Sequence, residues 1–130
     1  MAIPQRLEPG KRLADDDAIN NALATPQWQT KSNITALAGG ALSSLTPVLV
    51  NGANEVTTVA SGADSVVLPK AVPGMVVFVA NAGASSMQVF GNGSDTINGT
   101  AGATGISVAN AKRILFVAAD VGQWYSILTA

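Results

Sequence analysis

The side chains able to do chemistry in this chain are few and scattered. It contains no histidine and no cysteine, so the commonest acid–base group near neutral pH is missing, along with thiolate ligation and disulfides. A Ser–Lys nucleophile would have to use Lys31, Lys70 or Lys112, and none of these sits in a nucleophile motif. Glycoside hydrolysis needs two facing carboxylates. Glu55, Asp64, Asp95 and Asp120 instead stand singly beside turn residues and read as solvated loop carboxylates. The expectation is a protein with no catalytic residues, no metal and no cofactor: not an enzyme.

The remaining motifs read more simply as structure. Gly91 to Ile97, GNGSDTI, matches most of a calcium-binding nonapeptide repeat, but Phe90 occupies the first glycine and there is one copy where stacked copies are needed. A β-turn with Asp95 bonded to nearby backbone is the expectation. Asp15, Asp16 and Asp17 are consecutive, cannot converge on one ion and read as a helix N-terminus. Gly39-Gly40 and the run Gly99 to Gly102 lack the G-K-[ST] of a phosphate loop. Trp124 and Tyr125 are adjacent, so on a strand their rings point to opposite faces and at least one belongs to a core. Trp28 stands in a polar segment, where a large ring is expected to pack onto something.

Stepping from these residues to the chain that carries them, charge is the first constraint. Only 12% of residues are charged, against about a quarter in an ordinary soluble domain. A surface of Ala, Gly, Ser, Thr, Asn and Val suits burial against other chains. The net charge of −1 leaves no basic footprint for nucleic acid. The opening residues form no apolar signal segment, and no apolar run is long enough to span a bilayer. Synthesis in a cytoplasm is expected, without a membrane partner.

Composition divides the chain at Lys31. Arg6, Glu8, Lys11, Arg12, Asp15, Asp16, Asp17 and Lys31 outnumber all later charges. Pro4, Pro9 and Gly10 predict an extended opening. A short helix is predicted over Asp15 to Ala24, with Ile19, Ala22 and Leu23 on one face and Thr25-Pro26 ending it. Residues 1–31 are thus expected to be an arm and residues 32–130 a β domain. Strands are predicted at Ile34–Ala38, Val48–Val50, Glu55–Ala60, Ser65–Leu68, Met75–Ala80, Ser86–Phe90, Thr96–Asn98, Ile106–Val108, Arg113–Ala118 and Gln123–Leu128. Gly, Asn and Pro break the chain between them. Many short strands predict a mainly β fold, a small antiparallel sandwich or barrel with an N-terminal extended arm and one short helix. Val76 to Val79 and Ile114 to Val117 are continuously apolar, so both faces of those strands should be covered, the second by a neighbouring subunit.

Four segments, in this order, carry a resemblance. They are SGADSVVLPKAVPGM from Ser61, VVFVANAGA from Val76, MQVFGNGSDTING from Met87 and QWYSI from Gln123. Together they resemble a β module of tailed-bacteriophage virion proteins, found in head decoration (cement) proteins and in head or tail fibres. The similarity runs from about Ile34 to Ile127. It implies a homotrimeric virion component with no catalytic site. The function expected is a capsid decoration protein on the phage head, made in the host bacterial cytoplasm and bridging subunits of the major capsid protein. Small size favours this over the alternative, a receptor-binding or fibre-tip module with Trp124 and Tyr125 as ligand contacts. The capsid contacts expected on the arm are Arg6, Lys11 and Arg12 for steering and Ile19, Leu23 and Trp28 for apolar anchoring.

Overall fold

The structure, a computed structural model, describes residues 28–128, and it is mainly β. The strands are β1 (Gln29–Thr35), β2 (Gly52–Thr58), β3 (Ser65–Val67), β4 (Val76–Asn81) and β5 (Met87–Phe90), then β6 (Thr96–Ile97), β7 (Thr100–Ala101), β8 (Ile106–Val108), β9 (Arg113–Asp120) and β10 (Gln123–Leu128). The one helical element among the described residues is a 3-10 turn at Gly102–Thr104. The breakers fall where the sequence places them. Asn98 and Gly99 both have positive φ, 53° and 80°, the backbone of a two-residue hairpin turn joining β6 to β7. Gly122, at φ 72°, turns β9 into β10.

The strands form two mixed sheets, which corrects the expectation of an antiparallel sandwich or barrel. A seven-stranded sheet runs β1-β2-β4-β9-β10-β6-β7, and a three-stranded sheet runs β3-β5-β8. In the large sheet β1, β2 and β4 are parallel; in the small one β3 and β5 are parallel. The chain therefore visits the two sheets in turn, from β2 to β3 and from β4 to β5, each time stacking on its own preceding circuit. This is solenoid-like stacking. A first circuit begins with β1 and returns through Val48, which bridges Val67 in parallel.

Backbone bonds continue the stacking around the corners. The Ala36 amide donates to the Thr58 carbonyl at 2.9 Å, and the Ala82 amide to the Val56 carbonyl at 2.8 Å. On the return side, the Leu68 amide donates to the Phe90 carbonyl at 2.8 Å. After β5 the direction reverses: β8 lies antiparallel on β5 and β9 antiparallel on β4, so the third circuit is covered by strands of the same chain.

The core lies between the sheets. Val56, Val77, Val79, Ile114, Phe116 and Trp124 from the large sheet meet Val66, Met87, Val89 and Val108 from the small one. Phe116 and Trp124 pack edge to face, with centroids 6.5 Å apart. Two buried asparagines fasten the circuits. The Asn54 side chain accepts from the Val50 amide and donates to the Val50 and Phe78 carbonyls. The Asn81 side chain accepts from the Gly83 amide and donates to the Ser85 and Val108 carbonyls.

The predicted arm and helix lie outside the described residues, apart from Trp28 to Lys31. β1 includes Gln29, Thr30 and Lys31, on the arm side of the compositional boundary. No helix among the described residues is long and apolar enough to cross a membrane.

Candidate interaction surface

The solvated loop setting expected for all four carboxylates does not hold: Glu55 lies on β2, and Asp64 and Asp95 are buried. Asp64 accepts from the Ala60 amide at 2.7 Å, the Ser61 hydroxyl at 2.9 Å and the Ser61 amide at 3.2 Å. The Ser61 hydroxyl foremost, then the Ala60 amide, holds its carboxyl below the usual range. Asp95 is buried, accepts from the Ala71 amide at 2.7 Å and stands 3.7 Å from the Lys70 ammonium. The local Asx-turn expected there is thus replaced by a tie to a segment far away in sequence. Asp120 accepts from the Val121 amide in its own turn. Of the lysines considered as bases, Lys31 donates to the Val48 carbonyl and Lys70 lies against Asp95. Each of these groups already has a structural partner.

Two glycines from different turns, Gly91 and Gly102, pack on one another. A Cβ at Gly102 would meet the Asp95 carbonyl and the Gly91 Cα, and the Gly91 amide donates to the Gly102 carbonyl at 3.0 Å. These are sites of close backbone approach. Of the aromatic pair, Trp124 is fully buried and Tyr125 is half exposed. Trp124 is therefore unavailable as a ligand contact, which corrects its place in the fibre-tip alternative.

What the molecule presents outward is an apolar sheet face. In β4 and β9, exposure alternates: Val77, Val79, Ile114 and Phe116 are buried, while Val76, Phe78, Leu115 and Val117 are partly exposed. Sheet register aligns the outward residues across strands. Ala53, Phe78, Leu115 and Ile127 form one row, and Val76, Val117 and Tyr125 form the next. At a strand spacing of about 4.8 Å, the first row is roughly 15 Å long. Ile127 is 67% exposed. Charge touches this face at Glu55 and Arg113, which flank Ala80 in a third row.

The second covering expected for β4 and β9 is thus absent within the described chain. The strand with both faces covered is β3, whose Ser65, Val66 and Val67 are all buried. The sequence reading missed the outward row because an uninterrupted apolar run hides which residues alternate out.

Of the six expected capsid contacts, Arg6, Lys11, Arg12, Ile19 and Leu23 lie outside the described residues. Trp28 precedes β1 and is 54% exposed. No protein-family model, curated protein or solved structure matches this chain.

Proposed function

We propose that this protein is a structural virion component, a homotrimeric capsid decoration protein that reinforces a phage head by bridging major capsid subunits. The observation that carries the reading is the outward face of β4, β9 and β10. Val76, Phe78, Leu115, Val117, Tyr125 and Ile127 share one sheet surface, where a soluble monomer ordinarily places polar residues. The ordered resemblance from Ile34 to Ile127 and the low charge support it in the same direction. In this reading the sheet face packs against neighbouring copies. A stable interface takes about 800 Å² from each partner, and Phe78, Leu115 and Tyr125 are the large side chains at its centre.

Sedimentation of the full chain tests self-association, and reconstitution tests the capsid role. The expected mass is three times the 13.1 kDa chain, and Phe78→Glu with Leu115→Glu should reduce it to one. The wild-type protein should bind heads stripped of it. A wild-type monomer at micromolar concentration would remove the subunit-burial argument. Binding to tails instead of heads would favour the fibre-tip alternative.

A further inference from the structure

Three Asn-Gly pairs stand in this chain: Asn51-Gly52, Asn92-Gly93 and Asn98-Gly99. Such a pair can react with itself, because glycine carries no side chain to shield its amide nitrogen from the preceding carboxamide. The intrinsic chemistry is the same at all three, and the fold treats them differently.

Asn51 is held by strand pairing. Its side-chain oxygen accepts from the Val76 amide at 3.1 Å, and its carbonyl accepts from the Gln29 amide at 3.0 Å. Gly52 is buried in β2, between β1 and β4, with no room for a Cβ beside the Gln29 backbone. Asn98 lies at an exposed hairpin turn, but both ends of its side chain are tied to Ser126. Its Nδ2 donates to the Ser126 hydroxyl at 2.8 Å, and its Oδ1 accepts from the Ser126 amide at 3.0 Å. Asn92 has one side-chain bond, from Nδ2 to the Leu68 carbonyl at 3.3 Å, and its Oδ1 accepts none. Gly93 follows in an exposed turn at φ 57°, with open space on its Cβ side and no partner for its amide. Exposure alone would select Asn98. Restraint of the side chain selects Asn92.

We propose that Asn92 is a self-modification site, where the Gly93 amide nitrogen attacks the Asn92 carboxamide carbon. Base removes the proton from that nitrogen and a bond forms from it to Cγ. The side-chain nitrogen takes up a proton and leaves as ammonia, which gives a cyclic succinimide. Water then opens the ring at either carbonyl. Opening at Cγ leaves aspartate; opening at the backbone carbonyl leaves isoaspartate, with the main chain routed through the side-chain carbon. The reactants are this chain, base and water.

The surroundings give the change a consequence. The Asn92 carbonyl accepts from the Asp95 amide at 2.9 Å, closing the turn that sets the Asp95 carboxylate on the Ala71 amide. Gly91 is packed against Gly102, where a Cβ would come within 2.9 Å of the neighbouring Cα. An extra backbone carbon in so tight a turn displaces Asp95. Both products also lose the Nδ2 donor to Leu68 and gain a carboxylate, so conversion loosens the tie between this turn and the loop before β4. The site is independent of the virion reading, since Asn92 belongs to none of the strands of the β4, β9 and β10 face.

Peptide mapping of the full chain after incubation in mildly alkaline buffer tests this. Mass spectrometry counts amide-to-acid conversion, and electron-transfer fragmentation separates aspartate from isoaspartate. Conversion at Asn92 should be at least about tenfold faster than at Asn51 or Asn98, whose additional bonds must break first. In urea the three rates should converge. Ser126→Ala removes one tie and should speed conversion at Asn98 several-fold without changing Asn92. Comparable rates at the three pairs in the folded chain would overturn the site, as would faster conversion at Asn51 or Asn98, or none at Asn92. The wild-type rates decide this even if the variant fails to fold. The isoaspartyl fraction, isolated by ion exchange, should melt below the unmodified protein; equal melting would overturn the link to Asp95.

Discussion

Asp95 shows how a residue with an obvious chemical reading is used for structure. Its carboxylate sits between Ala71 and Lys70, tying the loop before β4 to the turn before β6. The lysine is 70% exposed, so the ion pair itself contributes little. The bond to the Ala71 amide matters more, since a hydrogen bond to a charged group contributes about 1.5–3 kcal/mol and an orphaned buried amide is costly. Asp95→Ala should therefore lower stability in urea unfolding by about 2 kcal/mol. Asp95→Asn keeps a carbonyl acceptor and should lose about half as much. Millimolar calcium should change neither the wild type nor Asp95→Asn. A calcium-dependent gain abolished by Asp95→Asn would restore the ion-binding reading of Gly91 to Ile97.

At the scale of elements, the corners set how closely one circuit stacks on the last. Gly83, after β4, lies against Val59, after β2, and a Cβ there would come within 2.6 Å of the Val59 amide nitrogen and Cβ. The neighbour is partly backbone and cannot rotate away. Gly83→Ala should thus cost about 1–3 kcal/mol, the usual penalty of overpacking. Gly62, in the corner before β3, has nothing within 4 Å of the same construction. Gly62→Ala should be neutral or gain up to about 1 kcal/mol through the unfolded chain. Thermal melts of the two variants side by side check whether the stacked corners carry the fold. Equal effects would mean that they do not.

For the whole molecule, the sparse charge predicts how copies hold together. If the apolar face of β4, β9 and β10 is the contact, its strength comes from area removed from water and not from ion pairs. Sedimentation at about 0.05 M and about 1 M sodium chloride, where the Debye length falls to about 3 Å, should give the same trimer mass. Dissociation in high salt would instead implicate Glu55 and Arg113 at the margin of that face.

Strand content was legible in the residues themselves. Ile106–Val108 and Gln123–Leu128 were placed with their observed bounds, because Val, Ile and aromatic residues between Gly and Asn breakers express a local preference. The opposite orientation of Trp124 and Tyr125 followed from the two-residue strand period alone. Strand direction was not legible. Parallel stacking of β1 on β2 on β4 depends on each circuit returning through a second sheet, a relation between residues far apart that leaves no periodic mark in a run such as Val76 to Val79. The buried asparagines Asn54 and Asn81 were hidden for the same reason: an Asn two residues from a Gly gives no sign of burial until its side chain is seen bonding another circuit. The sequence by itself determined which residue types this chain lacks and, broadly, where it is extended. Only the tertiary structure decided which face of each apolar strand meets the core, since burial is set by what packs on a strand and not by the strand's own composition.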